Sequence, residues 1–145
     1  MSTVNTFSAN GIRVPALHRA VAVVGGVVVA VLANLVLWVI GELAGGSFET
    51  TDADGQVMDV APGGAVVLTT VPLFVGLTVA VLASYLWVGV LRVAEVVGAV
   101  AALGTIALTV AADFDTASTI TLSLMHVTLV PVMIVALEGV RRAVV

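Results

Sequence analysis

Apolar residues run along this chain in long blocks, and short polar segments cut the blocks apart. The first block covers residues 16–40. A polar segment from Gly41 to Gly64 follows, and then an almost unbroken apolar run from Ala65 to Ala112. A membrane-spanning helix needs roughly 20 apolar residues to cross about 30 Å of hydrocarbon. As one helix, the second run would be about 70 Å long at 1.5 Å per residue, so it must fold back. Its only charges are Arg92 and Glu95, with Gly89 just before them, which places the turn near Gly89–Glu95. A further turn falls at "DFDT", where Asp115 is a good N-cap for a last helix. The pattern predicts helices over residues 16–40, 65–89, 94–112 and 116–137. Residues 1–15 read as a flexible cytoplasmic tail and 141–145 as a cytoplasmic C-terminus. The first block exceeds the 7–15 apolar residues of a signal peptide, so it reads as a retained helix.

The charges test the helix count. With four spans, Arg13, Arg19, Arg92, Arg141 and Arg142 all fall on one side. Glu42, Glu49, Asp52, Asp54, Asp59, Asp113 and Asp115 fall on the other, and only Glu95 and Glu138 join the arginines. The excess of basic residues marks the cytoplasmic face. The expected protein is therefore all-α and multi-pass in the plasma membrane. It is a four-helix antiparallel bundle with both termini cytoplasmic and a short extracellular loop or hairpin between helices one and two. Composition agrees: the 145 residues suit one domain, 61% are hydrophobic and only 10% charged, against about 25% charged in soluble domains. With no lysine and a net charge of −4, no basic surface exists for nucleic acid. The absence of cysteine excludes disulfides, thiolate metal sites and cysteine nucleophiles. Trp38, Phe48 and Phe114 near the outer boundary, and Tyr85 and Trp87 near the inner one, fit an interfacial aromatic belt.

Small residues at a spacing of four mark helix interfaces in lipid. The first helix carries Ala22, Gly26, Ala30 and Asn34; the second, Pro72, Gly76, Ala80 and Ser84; the third, Ala94, Gly98 and Ala102, then Thr105 and Thr109. These stripes predict tight packing, and the short loop at Phe114 makes helices three and four neighbours. The last helix is the most polar. Thr119, Ser123 and His126 share one face, and Ser118, Thr121, Met125 and Thr128 roughly the opposite one. Both faces should meet other helices, or their hydroxyls bond back to the preceding turn. Pro131 removes one helical hydrogen bond.

His126, in "TLSLMHVTLVP", is the leading candidate site, because ionisable side chains in membranes often serve function. Against this stands a plain interhelical hydrogen bond to a serine, a threonine or Asn34. Asn34 lies at a similar depth and is the best-placed partner. Ser123 and Thr119 lie on the histidine's own face, and Glu42 could close the top of a shared pocket or simply be solvated. The loop "SFETTDADGQVMDVAPGG" reads as two short strands around an Asp54-Gly55 turn. Its acids suit calcium in type, but "DADG" lacks the spacing of a calcium loop. No metal or cofactor motif is present. No acid lies at the depth of Ser123 and His126, and their geometry on one helix is poor for a catalytic triad.

The element "ASTITLSLMHVTLVP", with an arginine before the first helix and an extracellular first loop, resembles a family of small actinobacterial four-helix integral membrane proteins of unknown function. The resemblance extends from about Arg13 to the C-terminus and implies the four-helix topology and an interest in the histidine, but no activity. Three functions follow as expectations. The first is a non-enzymatic membrane subunit or a bundle that binds a lipid-like, apolar ligand. The second is a small intramembrane enzyme or isomerase with His126 as general acid/base. The third is an oligomeric transporter or channel subunit. The expected partners are the bilayer, an apolar ligand, and a further copy or another membrane protein.

Overall fold

A computed structural model describes residues 14–51 and 54–145. Most of the expected tail, with Arg13, and Asp52 of the acidic loop lie outside the described residues. The elements are α1 (Arg19–Leu43), β1 (Glu49–Thr51), β2 (Val57–Asp59), α2 (Pro62–Ala83), α3 (Val90–Ala111) and α4 (Thr116–Val144). All four helices are long and apolar enough to cross a membrane.

The helix ends follow local chemistry. Pro62 begins α2, where its missing N–H costs nothing. The Asp115 carboxylate caps α4 by accepting the Ser118 amide at 2.9 Å. Asp113 closes α3 with φ at +56°, a left-handed position that aspartate tolerates. The α2–α3 turn falls at residues 84–89, earlier than the charges suggested. The Ser84 hydroxyl donates to the Val81 carbonyl at 2.6 Å, and the Tyr85 and Leu86 amides bond three residues back in a tightened last turn. The Trp87 ring then fills the space that a side chain at Gly89 would need. Arg92 and Glu95 sit instead in the first turns of α3, paired at 3.1 Å. Helix α4 runs beyond residue 137 because Glu138 bonds Arg141 at 2.7 Å and Arg142 at 3.0 Å, one turn ahead.

Helix α4 is the centre of the bundle. It packs along α1 on one side and α3 on the other, while α2 packs chiefly on α1. Helices α2 and α3 touch only lightly, although a short turn joins them, and α1 and α3 do not meet. The small stripe of α1 makes the tight seam: Ala22, Ala30 and Asn34 are buried, and a Cβ on Gly26 would press on Leu77 at 3.2 Å and Ala136 at 3.4 Å. The stripes of α2 and α3 behave differently. Nothing lies within 4 Å of a Cβ built on Gly76, and Pro72, Gly76, Ala94 and Ala102 line a cavity. Of the α3 glycines, Gly98 is the one in tight contact, against Met133.

The two ends of the bundle are closed by different means. At one end β1 and β2 pair antiparallel, with Thr50 opposite Met58. Phe48 turns inward with φ at +56° and is 1% exposed. Its ring stacks on Trp38 at 5.4 Å, its amide donates to the Ser118 hydroxyl at 2.8 Å, and Trp38 Nε1 donates to the Val60 carbonyl at 3.0 Å. Trp38 and Phe48 are thus parts of a packed plug rather than of a lipid-facing belt. Asp115 holds this plug on α4: its carboxylate also accepts the amide and hydroxyl of Ser47, both at 3.0 Å, and the Ser118 hydroxyl at 2.5 Å. The Ser118 hydroxyl above all, then the Ser118 amide and the two Ser47 donors, hold the Asp115 carboxyl well below the usual carboxylate range. The opposite end carries the described arginines. There the buried carboxylate of Glu138 meets Arg92, Arg141 and Arg142. Leu17 crosses Gly139, donating its amide to the Gly139 carbonyl at 2.9 Å.

Candidate functional site

The light contact between α2 and α3 leaves a cleft of about 800 Å³, floored by α4. Residues on its walls reach the surface: Leu68, Val97 and Leu108 are 61–69% exposed. The cleft therefore opens sideways, between α2 and α3, along the face that a bilayer would cover. It runs from Val60 and Phe114 beneath the plug to Ala94 and Leu137 near the arginine end. On α3, Ala94 to Ala112 corresponds to about 27 Å of helix, close to the height of a bilayer core. Its walls are mostly aliphatic, and most of its polar groups gather in one belt, with Thr109 apart from them nearer the plug. Asn34, Thr69, Thr105 and His126 lie roughly 9–15 Å from the plug end of their helices at 1.5 Å per residue, and all four line the cleft.

His126 is half-buried, and its Nδ1 lies 2.8 Å from the Leu122 carbonyl oxygen. A carbonyl only accepts, so Nδ1 carries a proton, and in the neutral tautomer that this contact selects Nε2 has a lone pair. Nε2 has no hydrogen-bond partner among the described residues, and it is not sealed away from the cleft. The anticipated contact between His126 and Asn34 is not formed. The Asn34 amide donates to the Thr69 hydroxyl at 2.9 Å, and its carbonyl oxygen accepts the Thr128 hydroxyl at 2.9 Å. Asn34 is 3% exposed and ties α1 to both α2 and α4. Both polar atoms of its amide are therefore bonded, as a buried amide requires.

The other sequence candidates separate from this site. Thr119 and Ser123 do not line the cleft. Their hydroxyls donate to the Phe114 carbonyl at 3.2 Å and the Thr119 carbonyl at 2.7 Å, the back-bonding that satisfies a hydroxyl in a helix. Glu42 is exposed at the last turn of α1 and closes nothing. Among the described residues, no group of three or more His, Asp or Glu side chains could hold a metal ion. Sequence reasoning missed Thr69, which pairs with Asn34, and read Thr105 and Thr109 as packing positions. Their hydroxyls donate back to Ala101 at 2.6 Å and Thr105 at 3.3 Å, so toward the cleft they can offer only acceptor oxygens. The one usable signal for Thr69 was a polar residue near the depth of Asn34 in an otherwise apolar helix.

These features define a class: a small helical bundle of membrane-spanning type with a lateral, largely aliphatic cleft and one unpaired histidine nitrogen in it. The chain belongs to a family of unknown function, DUF6069, which matches residues 13–143. No curated protein matches it, and no solved structure does.

Proposed function

We propose that this protein is a non-enzymatic membrane protein that binds an apolar, lipid-like molecule in the cleft between α2, α3 and α4. The observation that carries the reading is the unpaired Nε2 of His126 beside a tall aliphatic cavity. A site of that kind favours a long apolar ligand with one hydrogen-bond donor, such as a hydroxyl, at the depth of the polar belt. The plasma membrane is the proposed location. The arginine end is cytoplasmic in this reading, which puts both termini inside, with support from the basic-residue asymmetry. The lysine-free, Ala- and Val-rich composition supports an actinobacterial source.

A second reading, an intramembrane enzyme or isomerase, draws on the same nitrogen, which could accept a proton from an apolar substrate. It ranks lower because, among the described residues, no carboxylate or second ionisable group lines the cleft. An oligomeric transporter or channel subunit has less support still, since the Thr119, Ser123 and Thr128 hydroxyls of α4 are bonded to backbone carbonyls or to Asn34.

The test is photolabelling of the purified full chain in neutral-lipid nanodiscs. The probes are a diazirine-bearing long-chain alcohol and its methyl ether. Labels should concentrate on cleft peptides of α2, α3 and α4, and Gly76→Trp should remove them. Labelling spread equally over exposed α1 positions such as Leu32 and Val36 would sink the reading. His126→Leu should lower the preference for alcohol over ether about threefold, the size of an average hydrogen bond in a membrane protein.

A further inference from the structure

A second groove, of about 360 Å³, lies between α1 and α2 at the arginine end. Its polar end holds His18, Arg19 and Tyr85, Thr78 lies about 10 Å along α2 from Tyr85 at 1.5 Å per residue, and its walls are apolar, with Val23, Phe74 and Val81. The polar groups share one property: each has spare donors. Arg19 is the one arginine among the described residues that meets no carboxylate. Its guanidinium lies over the Tyr85 ring at 4.1 Å, and its Nε is buried without a hydrogen-bond partner. The Thr78 hydroxyl is likewise buried without a partner. His18 Nδ1 accepts the Ala20 amide at 3.4 Å, so a neutral ring carries its proton on Nε2 as a further donor. Buried donors without acceptors are costly, and an unpaired cation with further donors along the same groove is complementary to an anion.

The groove's length narrows the class of anion. From Phe74 to Tyr85 the wall extends about 16 Å at 1.5 Å per residue, roughly half of a 30 Å hydrocarbon core. A charged end at the helix boundary above half a bilayer of apolar wall matches one leaflet's worth of lipid. We infer that this groove binds an anionic phospholipid, with the phosphodiester at Arg19 and Thr78 and an acyl chain lying along Val23 and Phe74. The site is separate from the α2–α3–α4 cleft and does not depend on what that cleft holds.

The experiment uses the full chain in bicelles of phosphatidylcholine, with and without phosphatidylglycerol, and native mass spectrometry of the retained lipid. A third arm adds inorganic phosphate to the neutral bicelles. Phosphatidylglycerol should be retained about five- to tenfold over phosphatidylcholine, as expected for one arginine near the surface with added charge-assisted hydrogen bonds. Arg19→Gln should abolish the preference, Arg19→Lys should keep most of it, and Thr78→Val should reduce it. Arg142→Gln, which removes one charge from the same end, should leave it in place. An unchanged preference in Arg19→Gln, or equal loss in Arg142→Gln, overturns the site. Stabilisation by inorganic phosphate alone, equal to that by the lipid, overturns the lipid assignment. Should Arg19→Gln fail to fold, the wild-type preference must still fall as salt is raised and fall in Thr78→Val; a preference indifferent to both also overturns the site.

Discussion

The two sides of α4 are built from similar residues and reach opposite outcomes. Toward α1, glycine and alanine bring backbones together, and a plug of aromatic and hydroxyl groups locks the end. Toward α2 and α3, glycine and alanine line an open cleft. The difference lies in what fills the space beyond the small residue. Gly41 of α1 is covered by Thr121 and by the Phe48 ring, whereas Gly76 of α2 faces nothing within 4 Å. A small residue is thus permissive: it allows close approach, and it equally allows a cavity. Which one results depends on the neighbouring helix, and here α3 is held by α4 rather than by α2.

The strongest way to break the contrast is at Gly41. A methyl group there would overlap Thr121 and approach Phe48 Cζ to 2.7 Å. Neither can withdraw cheaply, because Phe48 is anchored to Ser118 and stacked on Trp38. Overpacking of this kind costs about 1–3 kcal/mol, and Gly41→Ala should lie at the upper end. Unfolding in mixed micelles with increasing dodecyl sulfate reads the loss. A variant as stable as wild type would mean that the plug does not hold α1 against α4.

Asn34 sharpens the comparison next, since it belongs to the seam and also faces the cleft. Asn34→Leu removes the bonds to Thr69 and Thr128, and should cost about 1 kcal/mol, within the range measured for hydrogen bonds between membrane helices. The same unfolding assay applies, and a double cycle with Thr128→Val should show coupling between the two. Additive losses would remove Asn34 as the link between α1 and α4.

The plug also has a pH signature. Asp115 is held as a carboxylate by Ser118 and Ser47, so its folded-state pKa lies below the unfolded value of about 3.9. Its contribution is complete above that value and is lost as pH falls through the folded pKa. Stability should decline on acidification below about pH 4, and Asp115→Asn should flatten that slope while lowering stability at neutral pH. An identical acid slope in the variant would show that another group governs it.

How much of this was legible follows from what each feature depends on. Four helices were readable because apolar length and charge placement are properties of the chain alone. The Asp115 cap and the Asp54-Gly55 hairpin were readable because they are local. The α2–α3 turn was placed too late, since Arg92 and Glu95 pair within a helix as readily as they mark its end. Phe48 looked interfacial because its left-handed backbone, which turns it inward, leaves no mark on a hydropathy pattern. His126 stood out as the ionisable residue of an apolar helix, but its bond to the Leu122 carbonyl one turn back was not foreseen. Thr69 and Thr128 compete for Asn34, and only the relative rotation of three helices decides that contest.

The smallest expected effect is the most discriminating, because its sign is opposite to that at Gly41. Gly76 is in the middle of α2, where glycine costs roughly 0.5–1 kcal/mol relative to alanine through backbone entropy. At Gly41 the collision outweighs that gain; at Gly76 no atom stands within reach to oppose it. Gly76→Ala should therefore raise stability by about 0.5 kcal/mol, in the assay where Gly41→Ala lowers it. A loss of 1 kcal/mol or more, the order expected of overpacking, would mean that α2 and α3 close on each other in a bilayer. The cleft would then be filled by protein and unavailable to a ligand. A gain leaves the space beside Gly76 open, and the photolabelling of the Gly76→Trp variant then becomes a test of occupancy alone.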